Sequence, residues 1–290
     1  MSGWRGLERV PDRWLLPAAC MLLGSCGHYG RVGLDEAPKV VNVSSYDPKE
    51  RQRSGRGYSS FDVSALRENG VAGLIARAGK GGRADDKCAD FLAAADRQGL
   101  RLGTYHFVAK GVDPGRQAEV YVARLKSIAA RRGLRGKRIL LVGDFDRRSE
   151  PEDLVMFIDR IEALTGVLPV IYLENDAGFR RRLQDATREQ KQRIAGCSYW
   201  LALYAPHPDF ETPKSLAKGS GIWNTWAMWQ YGGVEWDAKR GRSASKHYHH
   251  GPWRAPEYFG DMDRPLEHNA FNGSLADLEA FWQKHSWRVP

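Results

Sequence analysis

Residues 138–148, RILLVGDFDRR, constrain the fold more than any other stretch of the chain. Five apolar or glycine residues, 139–143, run straight into two carboxylates spaced two apart, Asp144 and Asp146. An unbroken apolar run suits a strand buried on both faces, as in a parallel sheet covered by helices. Side chains of a strand alternate between its faces, so Asp144 and Asp146 are expected to point the same way, with Leu140 and Val142 behind them. The carboxyl ends of such strands are where α/β barrels hold their catalytic groups. The competing reading is a strand end whose aspartates cap the following helix. That helix, however, carries its own cap signal in Ser149 and Glu152, an S-x-x-E box before Leu154.

The same alternation recurs along the chain. Strand-like runs occupy residues 39–44, 71–77, 100–107, 168–173, 199–204, 227–231 and 265–271, which with the opening stretch makes eight. Helical patterns over 61–69, 85–98, 117–132, 150–165, 179–195 and 274–284 separate most of them, several stopped by a glycine such as Gly70, Gly99 or Gly166. Residues 49–60 and 79–82 read as loops. The expectation is an α/β fold, a TIM-like β/α barrel, irregular because helices thin out in the last third. No internal repeat and no second domain is evident.

Ahead of the barrel, Arg5, Arg9 and Arg13 precede an apolar stretch at 14–23 that is too short to span a bilayer. Leu23-Gly24-Ser25-Cys26 then resembles a bacterial lipobox, with Cys26 as the lipidated residue; ordinary secretion is the alternative. The expected division is a signal or lipobox segment at 1–26, a linker at 27–38 and one barrel domain at 39–290. Cys88 and Cys197 remain as internal cysteines, either paired in an oxidising compartment or buried as free thiols.

The formal net charge is +9 and the pI about 9.4, a balance that favours anionic partners such as an acidic cell-wall polymer. The basic residues are scattered over several runs with no nucleic-acid-binding motif among them, so no nucleic-acid partner is expected. His247, His249 and His250 sit in a basic tract without regular ligand spacing. That tract reads as an exposed insertion, and neither metal nor cofactor is expected.

The segments KVVNVSSYD, FDVSALRENGVAGLIARAGKG, LGTYHF, LLVGDFD, VIYL, YWLALYAP, WAMWQYG and LEHNAFNGSLADLEAF, taken in this order, resemble glycoside hydrolase family 25, the Chalaropsis-type lysozymes or muramidases. The resemblance spans about residues 39–282. It implies a hydrolase that cuts the β-1,4 bond between N-acetylmuramic acid and N-acetylglucosamine, and a peptidoglycan partner; a monomer is expected, and the N-terminal segment places it in the cell envelope or secreted.

The family's Asp-x-Glu motif falls on Asp144-Phe145-Asp146. By resemblance Asp146 is the acid, and Asp144 orients or stabilises the 2-acetamido group, making hydrolysis substrate-assisted. The first-strand Asp of the family is Asn42 here. The D-x-N-x-F pattern of its eighth strand reads Glu267-His268-Asn269-Ala270-Phe271. Three of four acidic positions thus differ in identity, and two of those three keep a carboxylate. Glu267 is expected to share in catalysis, while Asn42 can bond a sugar but cannot carry charge.

Resemblance also implies that Tyr105, His106, Tyr204, Trp229, Gln230, Tyr231 and Asn269 contribute to a sugar cleft, through aromatic stacking and hydrogen bonds. Arg77 is a site residue or a partner for buried carboxylates. Glu174, just past the fifth strand, is another acid near the same rim, with a solvated loop residue as the preferred reading. An aspartate at 146 is shorter than glutamate by about 1.5 Å, and misplacement by about 1 Å can cost a hundredfold in rate. Weakened activity follows as one expectation. A catalytically impaired peptidoglycan-binding lipoprotein on the same barrel is the alternative.

Overall fold

The computed structural model describes residues 37–45, 47, 60–204, 211–237, 242–246 and 266–290. The lipobox segment with Cys26, most of the linker, residues 48–59, the histidines at 247, 249 and 250, and Pro265 lie outside the described residues. In chain order the first half holds β1 (Lys39–Val43), α1 (Ser60–Glu68), β2 (Val71–Lys80), β3 (Arg83–Ala84), α2 (Cys88–Arg97), β4 (Arg101–Val108), α3 (Pro114–Arg132) and β5 (Arg138–Phe145). Then come α4 (Pro151–Thr165), β6 (Val170–Glu174), α5 (Ala177–Asp185), α6 (Arg188–Ala195), β7 (Tyr199–Ala202) and α7 (Glu211–Gly219). The last part holds β8 (Met228–Asp237), β9 (Arg242–Lys246), β10 (Glu267–Phe271), α8 (Leu275–His285) and β11 (Ser286–Arg288).

Eight of these strands close into a ring in the order β1, β2, β4, β5, β6, β7, β8, β10 and back to β1. The fold is therefore an α/β barrel, and among the described residues its helices are concentrated in the first two thirds. Neighbours are parallel around the ring except at β10, which runs antiparallel to both β8 and β1. That reversal brings the start of β10 to the rim where the other strands end, and sets Glu267 opposite Asn42.

Period-two alternation sorts the side chains into two layers. Leu140 and Val142 of β5 point inward, beside Val40, Ile75, Tyr105, Val170, Trp200, Met228 and Phe271 from the other seven strands. Ile139, Leu141 and Phe145 point outward, under the helices. Gly143 belongs to that outer face, where an added Cβ would lie 2.9 Å from Phe157 of α4. On the inner face Gly103 makes room for Ile75, since a Cβ there would come within 2.8 Å of it.

The chain following β10 plugs the lower end. Leu278, Phe281 and Trp282 of α8 join the inner cluster, and the Trp282 indole donates to the Leu102 carbonyl at 2.8 Å. Ser274 caps this helix by accepting from Asp277 N at 3.1 Å.

Several local expectations shift. Residues 79–82 form a hairpin between β2 and β3 in place of a loop, with Gly81 at φ +57°. The charged helix expected over 179–195 is two helices, because Thr187 starts α6 with its own capping box to Gln190. The cap of α4 lies one residue later than the S-x-x-E reading: Glu150 is the N-cap, Pro151 the first helical residue, and Asp153 reaches back to Glu150 N at 2.8 Å. Cys88 and Cys197 are both buried free thiols. Burial pushes both thiols up, Cys197 to about 12.

Candidate active site

At the upper rim, Asn42, Tyr105, Asp144, Tyr172, Glu174, Trp200 and Glu267 line a pocket of about 150 Å³. All lie on strands of the ring: Asn42, Asp144 and Glu174 at or next to the end of theirs, and Glu267 at the start of β10. β5 delivers Asp144 by the alternation that buries Leu140 and Val142 beneath it. Burial, and then the charges of Glu174 and Glu267, push the Asp144 carboxyl well above the usual carboxylate range. Burial, and then the charge of Asp47, push Glu267 up to about 7.

A network of amides forms the floor. Asn42 Oδ1 accepts from Asn269 Nδ2 at 2.8 Å and from Gln230 Nε2 at 3.1 Å. Its own amide nitrogen is thereby turned to Glu267 Oε2 and donates to it. Asn269 Oδ1 accepts from the Trp200 indole at 2.9 Å, and Gln230 Oε1 accepts from Tyr172 at 2.8 Å and Tyr204 at 3.0 Å. An aspartate at 42 would be an acceptor only and would set a second carboxylate against Glu267. Asparagine supplies the donor that Glu267 needs.

Arg77 stands one step back from the pocket. Its Nε lies 2.9 Å from Asp85 Oδ2, and its Nη2 donates to Ser45 Oγ at 2.8 Å. Asp85 also accepts from Ser45 N and Lys87 N. Of the two roles open for Arg77, this geometry is that of a partner for a buried carboxylate, and it ties the end of β1 to the β2–β3 hairpin. The guanidinium charge opposes the upward shifts of Asp144 and Glu267.

Asp146 departs from the sequence reading. β5 ends at Phe145, so strand alternation no longer governs the next residues. The chain turns at once, with Ser149 N donating to the Asp146 carbonyl at 2.8 Å. The Asp146 carboxylate takes Arg148 Nε at 2.9 Å and Nη2 at 2.8 Å, and these bonds hold it down to about 2. It is not among the residues lining the pocket. In this arrangement the Asp146 carboxyl is an ion-pair partner of Arg148 and is turned away from proton donation in the pocket.

Three other expected cleft residues face the outer layer, because each is the odd-numbered or even-numbered neighbour of an inward one. His106 stacks with Tyr121 and Phe157 beneath the helices, and burial lowers it to about 4. Trp229 is fully buried, donates to the Leu203 carbonyl at 2.8 Å and meets Trp226 and Tyr231 edge-on. Tyr231 lies in the same outer cluster. Conversely, Tyr172 and Trp200 line the pocket without being expected there, and Glu174, an acid near the rim in the sequence with a solvated loop residue as the preferred reading, lines it too. The signal for two of them is present: Val170, Tyr172 and Glu174 alternate as Leu140, Val142 and Asp144 do.

Among the described residues, no group of three or more His, Cys, Asp or Glu is arranged to hold a metal ion. Several solved structures share the fold. The catalytic domain of the endolysin ply40 from Listeria monocytogenes bacteriophage P40 is 18% identical, with a TM-score of 0.54 over 85% of this chain and 97% of that one. A bacterial lysozyme from Streptomyces coelicolor is 18% identical, with a TM-score of 0.51 over 84% and 96%. A family 25 glycosyl hydrolase from Bacillus anthracis is 17% identical, with a TM-score of 0.53 over 89% and 99%. No curated relative matches the chain by sequence. The profile of glycosyl hydrolases family 25 matches residues 54–237, well over half of the 290, and the chain accordingly belongs to glycosyl hydrolases family 25.

Proposed function

We propose that this protein is a peptidoglycan N-acetylmuramidase, hydrolysing the β-1,4 bond between N-acetylmuramic acid and N-acetylglucosamine, with Asp144 as the proton donor. The observation that carries the reading is the placement of Asp144 in a pocket at the mouth of a family 25 barrel, where burial and the charges of Glu174 and Glu267 push its carboxyl well above the usual carboxylate range. Glycoside cleavage needs such a proton for the leaving oxygen and nearby negative charge for the cationic centre. Tyr172, partly buried, offers aromatic surface to a sugar, and the buried Trp200 packs edge-on against it. Asp146, the acid by sequence resemblance, gives up that role because its pairing with Arg148 keeps it ionised.

The test is release of reducing ends from purified peptidoglycan by the full chain. Activity lost in Asp144→Asn and retained in Asp146→Asn supports the assignment, and the reverse pattern overturns it. A second reading, a sugar-binding protein with impaired catalysis, is favoured by the diversion of Asp146 and by Asn42 in place of an acid. Binding to peptidoglycan without any release of reducing ends would establish it.

The protein is further proposed to act as a monomer on glycan strands at the cell envelope, secreted or held by a lipid on Cys26, with no nucleic-acid partner and no cofactor. Fatty-acid labelling that disappears in Cys26→Ala tests the anchor.

A further inference from the structure

We propose that Glu174 is the second catalytic carboxylate of the pocket, the group that faces the substrate's 2-acetamido nitrogen and balances positive charge at the reacting carbon; this rests on reading the pocket as a muramidase site. β5 and β6 pair with Val142 opposite Val170 and Asp144 opposite Tyr172. Glu174 follows Tyr172 by two residues on the same inward face. It stands one step above Asp144, at the level on the adjacent strand that Asp146 would occupy if β5 continued. β5 stops at Phe145, Asp146 is drawn to Arg148, and the position toward the rim is left to Glu174. Its side chain lines the pocket, is exposed at the rim, and has no hydrogen bond or ion pair among the described residues. A carboxylate in that state is free to receive a ligand's N–H.

The chemistry divides between two levels. Asp144 gives its proton to the glycosidic oxygen, and the C1–O bond pair leaves with that oxygen. The acetamido carbonyl oxygen closes onto C1, forming an oxazolinium ring whose N–H is hydrogen-bonded to the Glu174 carboxylate. Water then adds to C1 and loses a proton to the Asp144 carboxylate. The ring bond to C1 breaks, which restores the acetamido group and both carboxyls.

The experiment compares wild type, Glu174→Gln, Glu174→Asp, Asp144→Asn and Asp146→Asn on two probes. One is purified peptidoglycan, and the other is a nitrophenyl β-glycoside of an N-acetylated disaccharide, whose leaving group needs no proton. Glu174→Gln is expected to lower kcat on the order of 10²–10³-fold on both probes, because charge balance is needed whatever the leaving group. Glu174→Asp should recover part of the loss. Asp144→Asn should fail on peptidoglycan and recover on the nitrophenyl glycoside, and Asp146→Asn should track wild type on both. Matching thermal midpoints exclude misfolding, and Glu174 is an exposed site. Wild-type kcat in Glu174→Gln, a change in KM alone, or recovery of Glu174→Gln on the nitrophenyl glycoside overturns the assignment of Glu174. Inactive wild type on both probes overturns the muramidase reading and this inference with it.

Discussion

The two ends of this barrel are built from the same strands and opposite chemistry. At the lower end Val40, Leu140, Val170, Met228 and Phe271 meet Leu278, Phe281 and Trp282 of α8, and the Trp282 indole, a polar group buried there, is satisfied by a carbonyl. At the upper end the same strands offer Asn42, Asp144, Glu174 and Glu267, with two carboxyls displaced upward. On β5 the change takes two residues, from Val142 to Asp144. The lower end supplies stability through apolar burial, whereas the upper end gives some up by holding desolvated acids in readiness for a ligand.

Substitutions at the two ends should therefore separate stability from turnover. Trp282→Ala is expected to lower the unfolding free energy by about 3–5 kcal/mol, measured by urea denaturation, with kcat of the folded enzyme little changed. Asp144→Asn should lower peptidoglycan turnover by about 10²–10⁴-fold, the usual contribution of a general acid. Its unfolding midpoint should equal or exceed that of wild type, because the acid it replaces is desolvated. A Trp282 variant that loses kcat at unchanged stability would break the contrast between the ends.

The lower half was legible in the sequence and the upper half only partly so. Alternation in an apolar run is robust where both neighbours of a residue lie within the strand, so Leu140, Val142 and Asp144 were read correctly as facing one way. The same rule failed at Asp146, one residue beyond the last hydrogen-bonded position, where turn geometry and Arg148 take over. Tyr172 and Glu174 obey the rule, because both lie within the hydrogen-bonded part of β6. His106, Trp229 and Tyr231 were carried by resemblance across a motif, and neighbours within a motif face opposite sides of a strand. The direction of β10 has no signature in its own residues. Its reversal is what puts Glu267 beside Asn42, and that follows only from closure of the ring.

A smaller effect concerns pH. Glu267 is raised in the folded state to about 7, above its ordinary 4.5. Below about pH 4.5 both states are protonated and its contribution to stability is complete. Between there and 7 the unfolded chain releases the proton while the folded one keeps it, so stability falls as pH rises, by on the order of 3 kcal/mol at most. Asp144 acts in the same direction. Unfolding free energies of wild type and Glu267→Gln, measured from pH 4.5 to 7.5, should diverge across this window, and Gln can still accept from Asn42. Parallel curves would show that the rim carries no such strain.

The smallest expected effect belongs to the turn between the ends of β5 and α4. Asp146 and Arg148 make a bidentate pair, yet the arginine side chain is 72% exposed. Pairs of that kind are screened by water and hold two side chains at an entropic cost that cancels most of the attraction. Asp146→Asn and Arg148→Ala should each leave the unfolding midpoint unresolved from wild type. Their value lies in turnover: releasing Asp146 from Arg148 frees the one carboxylate that resemblance names as acid. If Arg148→Ala raises kcat on peptidoglycan and the double variant with Asp146→Asn removes the gain, Asp146 is a held-back acid, and the division of labour between Asp144 and Glu174 must be redrawn. If both variants track wild type, the turn is outside the chemistry, and the upper rim works with the three carboxyls it encloses.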